Sequence, residues 1–153
     1  MSDQTYVVRP FTAADQTAAR SLILTGLGEH WGFIDETLNP DLDDIATAYP
    51  AATSLFLVVE DAGDLIGAGC LIEDDPRTGR LVRMSVAAAA RGRGIGRRLV
   101  SELEAAARHR GYTRLVCETT EDWVDATGLY LATGFTETGI RNGDRHFEKR
   151  LVD

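Results

Sequence analysis

Short apolar runs alternate along the chain with stretches of helical periodicity, a pattern that predicts a sheet with helices packed against it. Apolar and β-branched runs bounded by turn residues predict strands at 6–10, 55–60, 65–72, 80–86, 113–118, 135–140 and 145–151. Apolar residues at helical spacing predict helices at 12–28, 39–49, 95–110 and 123–133. The strand at 113–118 follows a helix, so we expect it to lie parallel to the strand before it.

Capping and turn residues support these boundaries. Thr12 with Asp15 three positions later is typical of a helix start, and Gly26 and Gly28 predict where that first helix weakens and ends. The Asn-Gly pair within 141–144 predicts the turn of a terminal hairpin. The predicted order is one strand, two helices, three strands, a helix, a strand, a helix and the hairpin.

The composition and net charge indicate the class of protein and exclude some kinds of partner. The chain has 153 residues, 44% of them hydrophobic, and a net charge of −8, which predicts a single acidic domain over 1–153 and argues against general nucleic-acid binding. No window approaches the ~18 apolar residues of a membrane span, so we expect a cytoplasmic protein without a membrane partner. Cys70 and Cys117 lie in apolar strands, which favours buried free thiols in a reducing compartment.

The turn between the strand at 80–86 and the next helix carries the strongest candidate chemistry. It contains three glycines, Gly92, Gly94 and Gly96, where the first amides of a helix lack intrahelical partners. Four arginines lie within eight residues of the same segment, at positions 91, 93, 97 and 98. Free amides and concentrated positive charge predict a site for phosphate groups.

Two common phosphate loops do not match this turn. A P-loop needs a Gly-Lys-Ser/Thr ending, which is absent here. In the dinucleotide fingerprint the third glycine position falls on Leu99 when the motif starts at Gly94, and on Arg97 when it starts at Gly92. The remaining possibilities are a different phosphate-binding motif or a strand-to-helix turn that uses glycine for geometry and arginine for solubility.

The pattern Arg91-x-x-Gly94-x-Gly96 resembles the coenzyme A signature of the GNAT superfamily of N-acetyltransferases. The segment Ala126-x-x-Leu129-Tyr130-x-x-x-Gly134-Phe135 looks like that family's segment around a tyrosine on the last crossover helix. The predicted order of elements is also the family's order over nearly the whole chain. The resemblance implies an α/β (α+β) fold with a mixed central sheet of about seven strands flanked by about four helices.

The resemblance also implies an acetyl-coenzyme A-dependent transfer to an amine, with no metal. Its cofactor contacts would be Met84, Ser85 and Val86 along the pantetheine arm, and Arg91, Gly92, Arg93, Gly94, Ile95, Gly96 and Arg97 around the pyrophosphate. It implies that Tyr130 is the general acid. Glu118 stands where ribosomal-protein N-acetyltransferases of the family carry a glutamate base.

Each catalytic assignment has an alternative. Tyr130 is also expected as an ordinary core residue, since tyrosine commonly buries its ring. Glu118 is alternatively a solvated carboxylate or the partner of Arg83 or Arg114, with Glu29 and Glu73 as reserve bases. The three histidines, His30, His109 and His146, are scattered without the ligand spacing of a zinc site.

The stretch 28–38 is predicted to be an irregular loop that combines aromatic and ionisable residues. Glu29, Trp31 and Phe33 are the substrate-binding candidates there, with core packing and solvation as the alternative. Asp35 and Glu36 would attract a cationic acceptor, although a solvated acidic face explains them equally well. The acceptor is accordingly predicted only as a small-molecule or peptide amine.

This chain departs from the family pattern at two positions. Trp123 stands where many members have an asparagine that contacts the cofactor, and Ala88 replaces a frequent proline. The competing functions are a non-catalytic acyl-coenzyme A sensor on the same fold, a small nucleic-acid-binding domain, and an unrelated nucleotide-binding fold. The sequence does not decide between a monomer and a homodimer formed through the edge of the terminal hairpin.

Overall fold

Seven strands form one sheet in the computed structural model, which describes residues 5–32, 38–120 and 122–152. The spatial order is β1-β2-β3-β4-β5-β7-β6. The strands are β1 (Val7–Pro10), β2 (Ser54–Asp61), β3 (Asp64–Asp75), β4 (Thr78–Val86), β5 (Arg114–Thr120), β6 (Thr136–Arg141) and β7 (Asp144–Arg150). Each predicted strand is therefore present, with ends shifted by a few residues.

The sheet is mixed, as the crossover pattern predicts. β4 and β5 are parallel, and the other neighbouring strands are antiparallel. The last hairpin folds back so that β7 lies between β5 and β6. This arrangement gives the parallel pair a central place in the sheet.

Four α-helices accompany the strands within the described residues: α1 (Gln16–Trp31), α2 (Ile45–Ala48), α3 (Ile95–His109) and α4 (Val124–Ala132). Short 3-10 turns precede α1, α2 and α3. The predicted helix at 39–49 is thus a 3-10 turn, Pro40–Asp43, followed by the single turn of α2. The Asp44 side chain caps α2 by accepting a hydrogen bond from the Thr47 amide, which explains the break between them.

The prediction that α1 ends near Gly26 and Gly28 is wrong. α1 continues to Trp31 and ends at Gly32, which has the left-handed φ of 83° that favours glycine at a helix end. Gly26 instead marks a close contact, because a Cβ built there would lie 3.1 Å from the Ser85 Oγ of β4. Glu29, consequently, belongs to the last helical turn rather than to an irregular loop.

Two hydrophobic clusters cover the two faces of the sheet. Alternate residues of β2 divide between them, since Leu57 and Val59 join the cluster with α3, and Phe56 and Val58 join the cluster with α1. Leu103 of α3 is fully buried in the first cluster. The helices α1 and α3 therefore sandwich the central strands.

The parallel strands β4 and β5 separate along their length. Their register in the described strands joins Thr78–Arg80 to Arg114–Val116, near the start of each strand. Beyond that point β4 continues to Val86 and β5 to Thr120 without pairing to each other. The separation leaves a cleft between the carboxyl ends of the two strands, and the candidate site lies there.

Both cysteines are buried and unpaired, as predicted. Burial raises the pKa of the Cys70 thiol to about 12 and moves that of Cys117 in the same direction. Both thiols are therefore protonated and unreactive near neutral pH. No helix among the described residues is long and apolar enough to cross a membrane.

Candidate active site

A cavity of about 940 Å³ occupies the cleft between β4 and β5. Its lining comes from α1, from residues 81–86 of β4, from the turn and first residues of α3, from residues 118–120 of β5, from α4 with the preceding Trp123, and from Asp144 of β7. This volume is at the upper end of the roughly 300–1,000 Å³ that is usual for small-molecule sites. The cleft therefore has room for a long ligand with a second reactant beside it.

The turn before α3 is built for close approach of a ligand to its backbone. Gly92 and Gly94 have φ values of 84° and 78°, in the left-handed region that glycine adopts without strain. A Cβ at either position would have no heavy atom of the described residues within 4 Å, so both glycines border open space. Gly96 serves packing instead, because its Cβ would lie 3.2 Å from the Leu129 side chain of α4.

The backbone amides of this turn include donors that α3 does not use. The first bond of the helix at this end runs from the Arg98 amide to the Gly94 carbonyl, at 3.0 Å. The amides of Ile95, Gly96 and Arg97 precede that bond at the positive end of the helix. All three residues line the cavity, and their amides, here named the amide cradle, are donors of the kind that can bind an anion.

The arginines of the turn make different contacts. Arg91 lines the cavity, and its guanidinium lies 3.2 Å from the Glu29 carboxylate of α1. Arg93 pairs with Asp61 at 3.0 Å and lies over the Tyr6 ring, so its side chain ties the turn to the first strands of the sheet. A contact between Arg93 and the cofactor stays a prediction. It concerns the backbone amide of Arg93, because the guanidinium is engaged by Asp61.

The opposite wall of the cleft is an irregular part of β4. The register between β3 and β4 shifts between Ala68 and Cys70, which marks a β-bulge near Arg83 and Met84. Arg83 has a φ of 56°, unusual for a large residue inside a strand. The bulge lies where β4 has left β5, so the backbone of residues 83–86 borders the cavity.

Tyr130 of α4 lines the same cavity while its side chain is almost fully enclosed, with 4% of the residue exposed. Its ring packs against Phe135 and Phe147 at centroid distances of 5.6 and 5.4 Å. Burial raises the pKa of the Tyr130 hydroxyl well above its ordinary value near 10, and the neighbouring Cys117 and Glu118 add to the rise. The hydroxyl therefore keeps its proton at neutral pH.

Glu118 lies at the end of β5 and lines the cavity, but its carboxylate is shared. Oε2 accepts a hydrogen bond from the Arg80 guanidinium and lies 3.5 Å from His146 Nδ1. An ion pair of Glu118 was one of the predicted alternatives, and its partners, Arg80 and His146, differ from those expected. Of the expected partners, Arg83 pairs with Asp41 and Arg114 with Glu148.

The amino-acid sequence matches the family described as "Acetyltransferase (GNAT) family" over residues 19–135, most of the chain. The chain belongs to the GNAT family of acetyltransferases. Among solved structures, the PaiA N-acetyltransferase of Thermoplasma acidophilum, determined in complex with coenzyme A, aligns with a TM-score of 0.85 over 96% of this chain and 99% of that one. At 16% identity this match shows the GNAT fold alone.

Curated relatives of this GNAT protein are named N-acetyltransferases. N-acetyltransferase 8F1 of Rattus norvegicus is 37% identical over 120 residues, which cover 74% of this chain and 54% of that protein. The chain thus spans about half the length of that relative. Glucosamine 6-phosphate N-acetyltransferase 1 of Oryza sativa subsp. japonica is 31% identical over 148 residues, covering 92% of this chain and 87% of that protein.

Two of the predicted acceptor residues of this GNAT chain, Glu29 and Trp31, lie at the end of α1. Glu29 and Trp31 belong to its last turn, and neither is in the lining of the main cavity. Phe33, Asp35 and Glu36 lie outside the described residues. Acceptor binding by Glu29, Trp31 and Phe33 stays a prediction.

A contact between α1 and the residues just before α4 was missed by sequence reasoning. The His30 ring stacks on the Trp123 indole at 4.0 Å with planes 5° apart, and its other neighbour is Trp31, edge-on at 4.8 Å. His30 Nε2 also lies 3.5 Å from Asp122. Trp123 lines the cavity, and only its departure from the family pattern marked it in the sequence.

Proposed function

We propose that this protein transfers an acetyl group from acetyl-coenzyme A to a primary amine, with both substrates bound in one complex. The observation that carries the proposal is the convergence, in one cleft, of the amide cradle at the start of α3, the bulged edge of β4 and the enclosed hydroxyl of Tyr130. A phosphate-bearing thioester and an amine need these three kinds of group.

The residues present suit acetyl-coenzyme A. The amides from Gly92 to Arg97 would hold its pyrophosphate, because they combine open glycines with the positive end of α3. The backbone of Met84, Ser85 and Val86 would follow the pantetheine arm along the separated edge of β4. When bound, acetyl-coenzyme A supplies the acetyl group as a thioester whose carbonyl is open to attack by an amine.

Glu118 and Tyr130 then divide the proton transfers. An amine resembling lysine has a pKa of ~10.4, so it must lose a proton before it attacks, and the Glu118 carboxylate is our candidate base. Arg80 and His146 hold that carboxylate at the cavity wall. Tyr130 carries its proton at neutral pH, as a tyrosine with an ordinary pKa near 10 does and as burial, which raises that pKa, reinforces, and it is our candidate donor to the departing sulfur.

Binding of acetyl-coenzyme A, measured by calorimetry, and amine-dependent release of free thiol test the proposal together. The amines should include glucosamine 6-phosphate, the compound in one relative's name, together with polyamines, amino acids and peptide N-termini. We expect binding and thiol release with at least one amine. Wild-type protein that fails to bind acetyl-coenzyme A contradicts the proposal.

One observation favours a second candidate, a sensor that binds acyl-coenzyme A without turnover. The Glu118 carboxylate is engaged by both Arg80 and His146, an arrangement that also suits a purely structural ion pair. Glu118→Gln tests the role of this carboxylate: where the protein turns over and uses this base, the variant should lower kcat at least tenfold with ligand affinity unchanged. Tight binding without thiol release for any amine supports the sensor.

The compartment is part of the same proposal. The two buried, unpaired cysteines suit a reducing environment, and acetyl-coenzyme A would be met there in solution. We therefore place the reaction in the cytoplasm. Localisation of the tagged full-length protein checks this placement.

A further inference from the structure

Arg83 combines an uncommon backbone with an extensive set of side-chain contacts. It is one of three non-glycine residues with positive φ in the described chain, and the other two, Ala62 and Asn142, lie in hairpin turns. Arg83 instead lies inside β4, at the bulge that borders the cavity. Such a backbone persists only where the surroundings hold it in place.

The Arg83 side chain is held by the segment that precedes α2. Its Nε and Nη2 donate to the two carboxylate oxygens of Asp41 at 2.9 and 2.6 Å, the fork geometry that fixes a guanidinium most firmly. Its Nη1 donates to the Asn39 side-chain oxygen at 3.1 Å. The Tyr49 hydroxyl donates to Asp41 at 2.6 Å and so completes a four-residue clamp of Arg83, Asp41, Asn39 and Tyr49.

The charges of the clamp are mutually stabilised. Burial opposes ionisation of Asp41, but the hydrogen bonds from Arg83 and Tyr49 outweigh it and lower the pKa of that carboxyl. Burial and the hydrogen bond to Asp41 raise the pKa of Tyr49 to about 12. Asp41 is thus an anion and Tyr49 a neutral donor at neutral pH, which are the states that the observed hydrogen bonds require.

The clamp acts next to the place where an acyl group would lie. Met84 and Ser85 follow Arg83 directly, on the edge of β4 that β5 has left. Their backbone direction depends on the bulge, since the register to β3 differs on its two sides. A donor aimed at a carbonyl must be held within a fraction of an ångström to be effective.

We propose that the Arg83–Asp41 ion pair is a positioning element, which holds the β4 bulge and thereby aims the backbone of Met84 and Ser85 at the acyl carbonyl. This inference rests on the proposed function, because it assumes that an acyl thioester binds along β4. It also connects the bulge to the segment 39–49, so that a change in that segment alters the alignment of the acyl group.

The test compares two neighbouring aspartates of the same 3-10 turn. Asp41→Asn removes the charge that holds Arg83, while Asp43→Asn removes an exposed ion pair with Arg20 of α1, at 3.4 Å, without touching the bulge. Each variant is saturated with acetyl-coenzyme A carrying ¹³C at the carbonyl, and isotope-edited infrared spectroscopy records the carbonyl band. A hydrogen bond to the carbonyl lowers its stretching frequency.

We expect the band in wild type and Asp43→Asn to lie at the same frequency, below that of free acetyl-coenzyme A, and the band in Asp41→Asn to move back or broaden. Acetyl-coenzyme A should bind Asp41→Asn about threefold to tenfold more weakly, the effect of about one hydrogen bond. Coenzyme A, which has no acyl carbonyl, should bind all three proteins within about twofold.

Arg83→Gly keeps the test decisive if Asp41→Asn does not fold. Glycine adopts positive φ without strain, so this variant removes the clamp while it relieves the backbone, and we expect a folded protein with the altered band. Arg83→Lys keeps the charge without the fork and should restore the band only in part.

Identical bands in wild type, Asp41→Asn and Arg83→Gly overturn this inference and leave the proposed function intact. Failure of wild type to bind acetyl-coenzyme A overturns the proposed function itself.

Discussion

The two walls of the cleft are built in different ways. The α3 wall, which would hold the phosphates, is a turn whose glycines and free amides lie within a few residues of each other, and its ligand groups are mostly backbone. The β4 and α4 wall also presents backbone at residues 84–86, but it is held together by side chains from distant parts of the chain, including Arg83 with Asp41 and His30 with Trp123. Backbone groups are the same for every sequence, whereas side-chain contacts change with single substitutions.

This difference indicates a division of tasks between the walls. A backbone cradle can bind one invariant cofactor in many relatives, since few side chains are needed for it. Side-chain walls can differ from one relative to another and so adapt to different amines. Substitutions in the α3 wall should therefore change coenzyme A affinity, and those in the other wall should change turnover and acceptor use.

The largest expected effect is on turnover, from Tyr130→Phe. The variant keeps the ring contacts with Phe135 and Phe147 but loses the candidate proton donor, and kcat should fall about 100-fold with coenzyme A affinity unchanged. Steady-state kinetics and calorimetry measure the two quantities. Equal kcat in wild type and variant would assign Tyr130 to the core alone.

The same substitution has a signature in stability at alkaline pH. The pKa of Tyr130 is raised in the folded state, so the protonated residue stabilises the fold fully below about pH 10, the ordinary tyrosine pKa. This contribution is lost as pH rises above 10, because the unfolded chain then releases the proton first. Urea unfolding at pH 8 and pH 10.5 should show a smaller loss of stability in Tyr130→Phe than in wild type.

Gly94→Asp tests the α3 wall and should weaken coenzyme A binding about 30-fold, because it places a side chain and a negative charge in the anion cradle. Gly111→Asp is the matched control at the other end of α3: its φ is 86° against 78° for Gly94, and both border open space among the described residues. Gly111→Asp should lose more stability than Gly94→Asp, because its carboxylate meets the negative end of α3 while an aspartate at position 94 caps the positive end, and it should still leave coenzyme A affinity unchanged. A comparable loss of affinity in Gly111→Asp would contradict the assignment of the cradle.

The two walls also differ in how much of each could be predicted from the sequence. The strands and the glycine turn were predictable because periodicity, caps and φ preferences act over a few residues. The partner of Glu118 was not predictable, since Arg80 lies 38 positions away and only the parallel register of β4 and β5 brings the two together. The end of α1 was predicted wrongly at Gly26, because in the sequence a glycine that permits close packing looks the same as a glycine that ends a helix.

Trp123→Ala tests the wall at the start of α4 against the sequence prediction, which named Trp31, with Glu29 and Phe33, as an acceptor-binding candidate. Trp123 lines the cavity and stacks on His30, whereas Trp31 meets the same histidine edge-on and is 48% exposed. We expect Trp123→Ala to change the acceptor KM about fivefold to tenfold, with a smaller change in Trp31→Ala. The reverse order of effects would move the acceptor site towards the end of α1.

The smallest expected effect comes from the ion pair between Glu29 and Arg91, which joins α1 to the turn before α3. Glu29 lies 3.2 Å from Arg91 and so competes with an incoming phosphate for that guanidinium. Exposed ion pairs contribute up to about 1 kcal/mol, so Glu29→Gln should strengthen coenzyme A binding by about twofold to threefold. This gain should diminish at high salt, because the phosphates are screened from Arg91 as well.

Glu148→Gln provides a matched control for this prediction. Glu148 pairs with Arg114 at the same 3.2 Å, and the side-chain exposures are similar, 44% and 38% against 48% and 40% for Arg91 and Glu29. Neither Glu148 nor Arg114 lines the cavity, so its removal should leave coenzyme A affinity unchanged. Weaker binding in Glu29→Gln would mean that Glu29 orients Arg91 for the ligand, and the α3 wall would then depend on a distant side chain just as the opposite wall does.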